Sequence, residues 1–137
     1  MNQKMLAKAN EFFKARQNAS FSVLDEKGYP SASAIWLMGH GDVTEVFFST
    51  PVGSNKYKRL QKCSKASINC YSDFSNLTLV GEAEVLTDQE SKAKHWQEMF
   101  IHIYPEGAAD PTYSVIKFTT KRVSMNIEED EGAFDIA

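Results

Sequence analysis

Phe47-Phe48-Ser49-Thr50-Pro51-Val52-Gly53-Ser54-Asn55-Lys56 is the most informative stretch of this 137-residue chain. A strand of aromatic and β-branched residues runs into two hydroxyl residues. Pro51 and Gly53 break it, and a helix begins with small polar residues and a lysine. Ser54 or Asn55 is the natural N-cap, because a side-chain oxygen there accepts a hydrogen bond from one of the helix's first, unpaired N–H groups. Those N–H groups, the hydroxyl donors and an ammonium can converge on one phosphate, so the junction reads as an anion site. It is not a P-loop, since GxxxxGK[ST] is absent. The same residues are also accounted for by Ser54 as a plain cap and the lysines as a solvated helix face.

Upstream, residues 3–17 set Met5, Leu6, Ala9, Phe12 and Phe13 at helical spacing, which predicts an amphipathic helix within residues 1–18. Residues 20–25 alternate as a strand, and Glu26-Lys27-Gly28-Tyr29-Pro30 reads as a hairpin turn. Residues 31–38 form a second strand, ending at Gly39-His40-Gly41-Asp42, and residues 43–50 a third. Downstream, the helix after the junction runs to about Cys63. Residues 67–71 and 77–86 are two more strands about a polar turn at 72–76. Asp88 caps a helix predicted to continue through about Ile103, with Ala93, Trp96, Met99, Phe100 and Ile103 on one face. Tyr104-Pro105-Glu106-Gly107 ends it. Residues 115–119 and 123–127 read as a final hairpin around Thr120-Lys121-Arg122. Successive strands lie a turn apart, so pairing is antiparallel. Six or seven short strands with a few covering helices predict a small barrel of the α+β kind, mainly β.

The length suits one domain, spanning residues 1–137 with an acidic tail at 128–137. A hydrophobic fraction of 42% and a charged fraction of 24% are ordinary for a globular protein and exclude disorder. No run approaches the ~20 apolar residues of a membrane helix, and Met1-Asn2-Gln3-Lys4 does not open a signal peptide. A cytoplasmic protein with no membrane partner is the expectation. Cys63 and Cys70 form neither a disulfide framework nor a CxxC pair. On that reading the Asn-x-Ser/Thr triplets at Asn18 and Asn76 carry no glycosylation meaning.

The net charge is −3, but five of the eighteen acids (Glu128, Glu129, Asp130, Glu131 and Asp135) fall in the last ten residues. That run reads as a solvated tail. Five of the fifteen bases (Lys56, Lys58, Arg59, Lys62 and Lys65) fall within ten residues. Beside Tyr57 they suggest a nucleic-acid contact less well than a solvent-facing helix, so no nucleic-acid partner is expected. His40, His95 and His102 read as surface or satisfied histidines. His95 and His102 lie seven apart without a third ligand, so no metal set is read. No GxSxG, HExxH or acid–base pair of carboxylates identifies a catalytic group.

Taken in order, several segments resemble the flavin-binding split-barrel proteins of the pyridoxamine 5'-phosphate oxidase-like superfamily, in the general stress protein branch. They are Gly28-Tyr29-Pro30, Phe48-Ser49-Thr50 with Ser54-Asn55-Lys56, and Gly81-Glu82-Ala83-Glu84-Val85 with Asp88. Trp96 and Pro105-Glu106-Gly107 with Asp110-Pro111 complete the set. The resemblance runs from about residue 5 to 127. It implies a six-stranded antiparallel split β-barrel with flanking helices, and a homodimer with FMN in a cleft at the subunit interface. It further implies an oxidoreductase-like protein that uses the flavin on a small-molecule redox substrate. Ser33, Ser49, Thr50, Ser54, Asn55 and Lys56 are then the expected cofactor-binding residues. Where the family often carries an arginine after the hairpin proline, this chain has Ser31 and Ser33, with no arginine from Ser31 to Ser49. Where relatives carry an aromatic pair with Trp in the last strand, it has Met125-Asn126. Two other readings stay open: a flavin-binding or sensing stress protein without catalysis, and a cleft repurposed for another flavin form, a haem or no ligand.

Overall fold

In the computed structural model, which describes residues 3–37 and 42–136, the alternation expected near residue 20 is strand β1 (Asn18–Leu24), burying Ala19, Phe21 and Val23. It pairs with β2 (Pro30–Trp36) across the predicted turn, where the Asp25 carboxylate accepts from the Lys27 and Tyr29 N–H groups. Helix α1 (Gln3–Lys14) precedes them and buries Ala9 and Phe13. The strand end expected at Met38 and the turn through Gly39, His40 and Gly41 lie outside the described residues.

Strand β3 (Glu45–Pro51), helix α2 (Asn55–Lys62), β4 (Lys65–Ser72), β5 (Ser75–Leu86), α3 (Gln89–Lys94), β6 (Tyr113–Ile127) and β7 (Asp130–Asp135) follow. All named pairings are antiparallel. The strand order is β2-β1-β4-β5-β6-β3, with β7 also on β6. The sheet thus has seven strands where six were implied. Phe21 of β1 lies 4.8 Å, ring centre to ring centre, from Phe48 of β3, and 6.4 Å from Phe118 of β6. Strands β1 and β3, with β4, β5 and β6 between them in the order, therefore meet across one core, so the sheet curls into a barrel. No ladder joins β2 to β3 among the described residues, which leaves the barrel split.

Three expectations are corrected. The last hairpin around Thr120-Lys121-Arg122 is instead one fifteen-residue strand, β6. No turn residue interrupts it. Buried Thr120 takes the Thr44 carbonyl through its N–H and the Val43 carbonyl through its hydroxyl, which holds the chain extended. The register change falls opposite, as a bulge between Val80 and Gly81. The acidic run is a strand rather than a loose tail: the chain reverses at Glu128 (φ 55°) and returns as β7 on residues 122–127 of β6, with Glu128, Glu129, Glu131 and Asp135 exposed as expected. Lys8 of α1 holds Asp130 at 2.7 Å and Glu128 at 3.6 Å.

The predicted helix from Asp88 to Ile103 breaks after Lys94. The His95 ring stacks on Phe47 while Trp96 packs edge-on against Tyr113, and consecutive residues of a helix point about 100° apart. Extended Gln97 (φ −121°) resets the chain into a short 3-10 turn, Glu98–His102. Ala93 and Ile103 are exposed, whereas Lys92 is buried. No helix among the described residues is long and apolar enough to cross a membrane.

At the bulge, β5 and β6 approach so closely that a Cβ on Gly81 would lie 2.1 Å from the Thr119 carbonyl oxygen. Gly81→Ala is therefore expected to destabilise the fold by about 1–3 kcal/mol, the usual cost of overpacking. Urea unfolding reads this directly, and an unchanged midpoint would mean the strands part without cost.

Candidate functional site

Helix α2 spans the split. Pro51 ends β3, Gly53 turns the chain at a positive φ of 86°, and Ser54 caps the helix by accepting from the Tyr57 N–H at 3.2 Å. The Ser54 hydroxyl also lies 2.6 Å from that of Thr50, which is buried at the end of β3. Ser114 of β6 donates to the Thr50 carbonyl at 2.6 Å. The junction is thus fastened to the sheet, and the first turn of α2 is fixed against it.

That placement turns one face of α2 toward β2. The Lys56 ammonium donates to the Ser33 hydroxyl at 3.0 Å. One turn later, Arg59 donates through Nη1 to Ser31 at 3.2 Å and through Nε to Glu26 at 3.1 Å. Residues three apart on a helix share a face, as do alternate residues of a strand, so the pairs run side by side. Lys58 and Lys62 point to solvent instead. Burial, then the Arg59 charge, holds the Lys56 ammonium below its ordinary range. Lys56 has no carboxylate within ion-pair distance among the described residues.

Ser33 also lines a groove of about 670 Å³ on β1, β2 and β4, whose walls include Arg16, Asn18, Ser20, Asn69 and Tyr71. That volume falls in the range of small-molecule sites. Polar and apolar surface share its lining about equally, and no residue of α2 contributes to it: Ser33 borders the groove, but its hydroxyl faces α2 with that of Ser31, on the other side of β2 from Ala32 and Ala34.

The expected site residues therefore separate. Lys56 and Ser33 meet where α2 crosses the split. Thr50 and Ser54 sit behind them, their hydroxyls engaged with each other and with the helix end. Asn55 is exposed on the first turn. Ser49, one residue before Thr50, points to the other side of β3, where it lines a cavity of about 30 Å³ with Trp36, His95 and Tyr113. Ser31, where the resemblance leads one to look for an arginine, accepts a hydrogen bond from Arg59 of the helix. The sequence held a signal for Arg59 in its three-residue spacing from Lys56. Asn126 stands exposed on β6 and donates to Glu131 of β7 at 3.1 Å.

The aromatic cluster beside Ser49 is closed. The Tyr113 hydroxyl donates to the Lys92 carbonyl at 2.9 Å, and burial with neighbouring Tyr104 pushes its pKa up to about 12. Burial also raises Tyr104. His95, stacked 3.9 Å from Phe47, is held below its ordinary pKa by burial and then by Lys94. His102 is exposed in the 3-10 turn, so the two histidines share no helix face.

Ser54→Ala removes the cap and a hydroxyl partner of buried Thr50. It is expected to cost about 1–2 kcal/mol in stability. Urea unfolding at neutral pH measures this; an unperturbed midpoint would show that α2 is anchored by other contacts.

The comparisons with known proteins agree with this fold. The profile of the pyridoxamine 5'-phosphate oxidase family matches residues 5–126. No curated protein matches the sequence. Among solved structures, the chain is similar to a Clostridium acetobutylicum protein described as related to general stress protein 26 of Bacillus subtilis and of the pyridoxinephosphate oxidase family. That match has 28% identity and a TM-score of 0.87, and covers 99% of this chain and 97% of the other. General stress protein 26 of Bacillus anthracis shares the fold at 16% identity and a TM-score of 0.81, covering 98% of this chain and 100% of its own. A heme binding protein of Mycobacterium smegmatis does so at 15% identity and a TM-score of 0.67, covering 95% and 55%. With its split barrel and a family match spanning nearly its whole length, the chain belongs to the pyridoxamine 5'-phosphate oxidase family.

Proposed function

We propose that the protein binds FMN at the split crossed by α2, as a general stress protein whose flavin carries out redox chemistry on a small molecule. The observation that carries this is the Lys56 ammonium held against Ser33 where α2 crosses the split, with no carboxylate partner among the described residues. A cation built into a sheet–helix junction without a counter-charge suits an anionic ligand, and a phosphate offers the strongest such hydrogen bonds. The donors fit the phosphate end of FMN: an ammonium, the Ser33 hydroxyl and the first turn of α2. Bound flavin supplies hydride and electron transfer, while the chain anchors the phosphate and orients the ring.

Free Cys63 and Cys70 suit the reducing cytoplasm as the working compartment. The haem alternative draws on the heme binding protein that shares the fold. Haem propionates would also meet Lys56, but His95 lies flat on Phe47 and is not presented to the groove as an axial ligand. A visible spectrum separates the readings. Flavin bands retained after FMN addition and desalting support this one, a Soret band after hemin addition supports the other, and a colourless protein rejects both.

Lys56→Ala is expected to weaken FMN binding about 10- to 100-fold, the worth of one charge-assisted hydrogen bond. Fluorescence titration measures this, and an unchanged affinity would remove Lys56 from the site.

We further propose that the outer face of β1, β2 and β4 pairs with a second copy. Cross-strand partners Ser20, Ala34 and Asn69, with Ser22, Ala32 and Ser67, make a flat face of small side chains. Trp36 (52% exposed) and Tyr71 (73%) stand at one end of it, large apolar surfaces that an interface would cover. The groove lies on this face, so a second copy would complete its wall. Sedimentation equilibrium is expected to give a dimer, and Ala34→Glu a monomer. A monomeric native protein would reject the arrangement.

A further inference from the structure

We infer that Arg59 is the second cation of the anion site, reaching the ligand beside Ser31 once a phosphomonoester displaces Glu26 from its guanidinium. The inference rests on the FMN reading and adds to it a residue, a ligand class and a competing internal carboxylate.

The geometry is a pair of matched contacts. Ser31 and Ser33 alternate along β2 and lie on one side of it, roughly 7 Å apart. Lys56 and Arg59 are one helical turn apart, about 5–6 Å between Cβ atoms. The two spacings are close enough for Lys56 to meet Ser33 while Arg59 meets Ser31, and both contacts are made. Two like charges are therefore held near each other across the split. Burial and Arg59 together depress the Lys56 pKa, which records the cost of that arrangement.

Glu26 offsets only part of this cost. It reaches Arg59 through Nε alone, at 3.1 Å, and its side chain is 62% exposed on the β1–β2 turn. An exposed single-contact ion pair is weak, so a ligand dianion can replace it. Arg59 uses one N–H on Glu26 and one on Ser31, leaving three of its five donors for that ligand among the described residues. A phosphomonoester, doubly charged near neutral pH, matches two cations where a phosphodiester or a neutral alcohol does not. The charge that the family often carries on the strand is here delivered from the helix.

The test uses inorganic phosphate as probe and follows the arginine Nε–Hε and backbone amide resonances of the isotopically labelled protein. Phosphate is expected to shift the Arg59 Nε–Hε signal and the amides of residues 54–57 together, with one saturation curve. Arg59→Gln should weaken phosphate about tenfold or more and narrow the preference for FMN over riboflavin by a similar factor. Glu26→Gln should tighten phosphate about three- to tenfold by removing the competitor. If the 54–57 amides respond while Arg59 does not, and Glu26→Gln has no effect, the Arg59 inference is overturned and the Lys56 reading stands. If neither region responds and FMN is not retained, both are overturned. Should Arg59→Gln fail to fold, the Glu26→Gln titration and the Arg59 signal decide.

Discussion

The contact on which the rest of the structure depends is Phe21 against Phe48, 4.8 Å apart edge to face. These residues belong to β1 and β3, which have three strands between them in the hydrogen-bonded order, so their meeting is what curls the sheet. Such an aromatic pair contributes roughly 0.5–1.5 kcal/mol beyond the area it buries, and Phe118 adds a second edge-to-face contact. The curl stops short of closure, because β2 and β3 share a core without sharing a ladder. Closing the sheet with hydrogen bonds would remove the opening that α2 crosses.

Helix α2 therefore substitutes side-chain chemistry for the missing ladder. At one end the Thr50–Ser54 contact ties it to β3; along its face Lys56 and Arg59 tie it to β2. Hydroxyls are suited to both tasks, since each donates and accepts. The result is a seam that is polar and positively charged at the edge of an otherwise apolar core. A seam built that way stabilises the barrel only modestly, because partly exposed charged contacts are worth about 1 kcal/mol or less each. Its value lies in where it puts charge, which is the basis for the ligand proposed above.

The opposite side of β3 shows the contrast. There Tyr104, Tyr113, Phe100 and Val115 form a separate buried cluster, with Trp96 and Phe47 packed on it. The buried Lys92 ammonium is satisfied by the Asp110 carbonyl at 2.9 Å and lies 5.5 Å from the centre of the Tyr113 ring. Asp110 in turn accepts from the Glu106 N–H and from the Thr112 N–H and hydroxyl. These local bonds fix the 106–113 loop against β6. One strand thus serves two environments: Thr50 faces the helix junction and Ser49 faces the aromatic cluster, as the two-residue period of a strand requires.

By itself the sequence determined the strand–turn–helix junction, the Ser54 cap and the antiparallel mainly-β class. Each rests on interactions between residues close in the chain, and those leave local marks: alternation, a turn glycine, a capping hydroxyl. The family resemblance was legible for the same reason, as an ordered set of such marks. Tertiary structure alone decided what had no local mark. Residues 120–122 look like a turn until Thr120 is seen bonded to residues 43 and 44. The acidic run looks like a loose tail until it is seen paired with β6 and held by Lys8. The helix from Asp88 breaks because Phe47 and Tyr113 draw adjacent rings in different directions. The Ser31–Arg59 contact joins residues 28 apart in the chain. Such contacts depend on how the sheet curls, and the curl is a property of the packed core rather than of any segment within it.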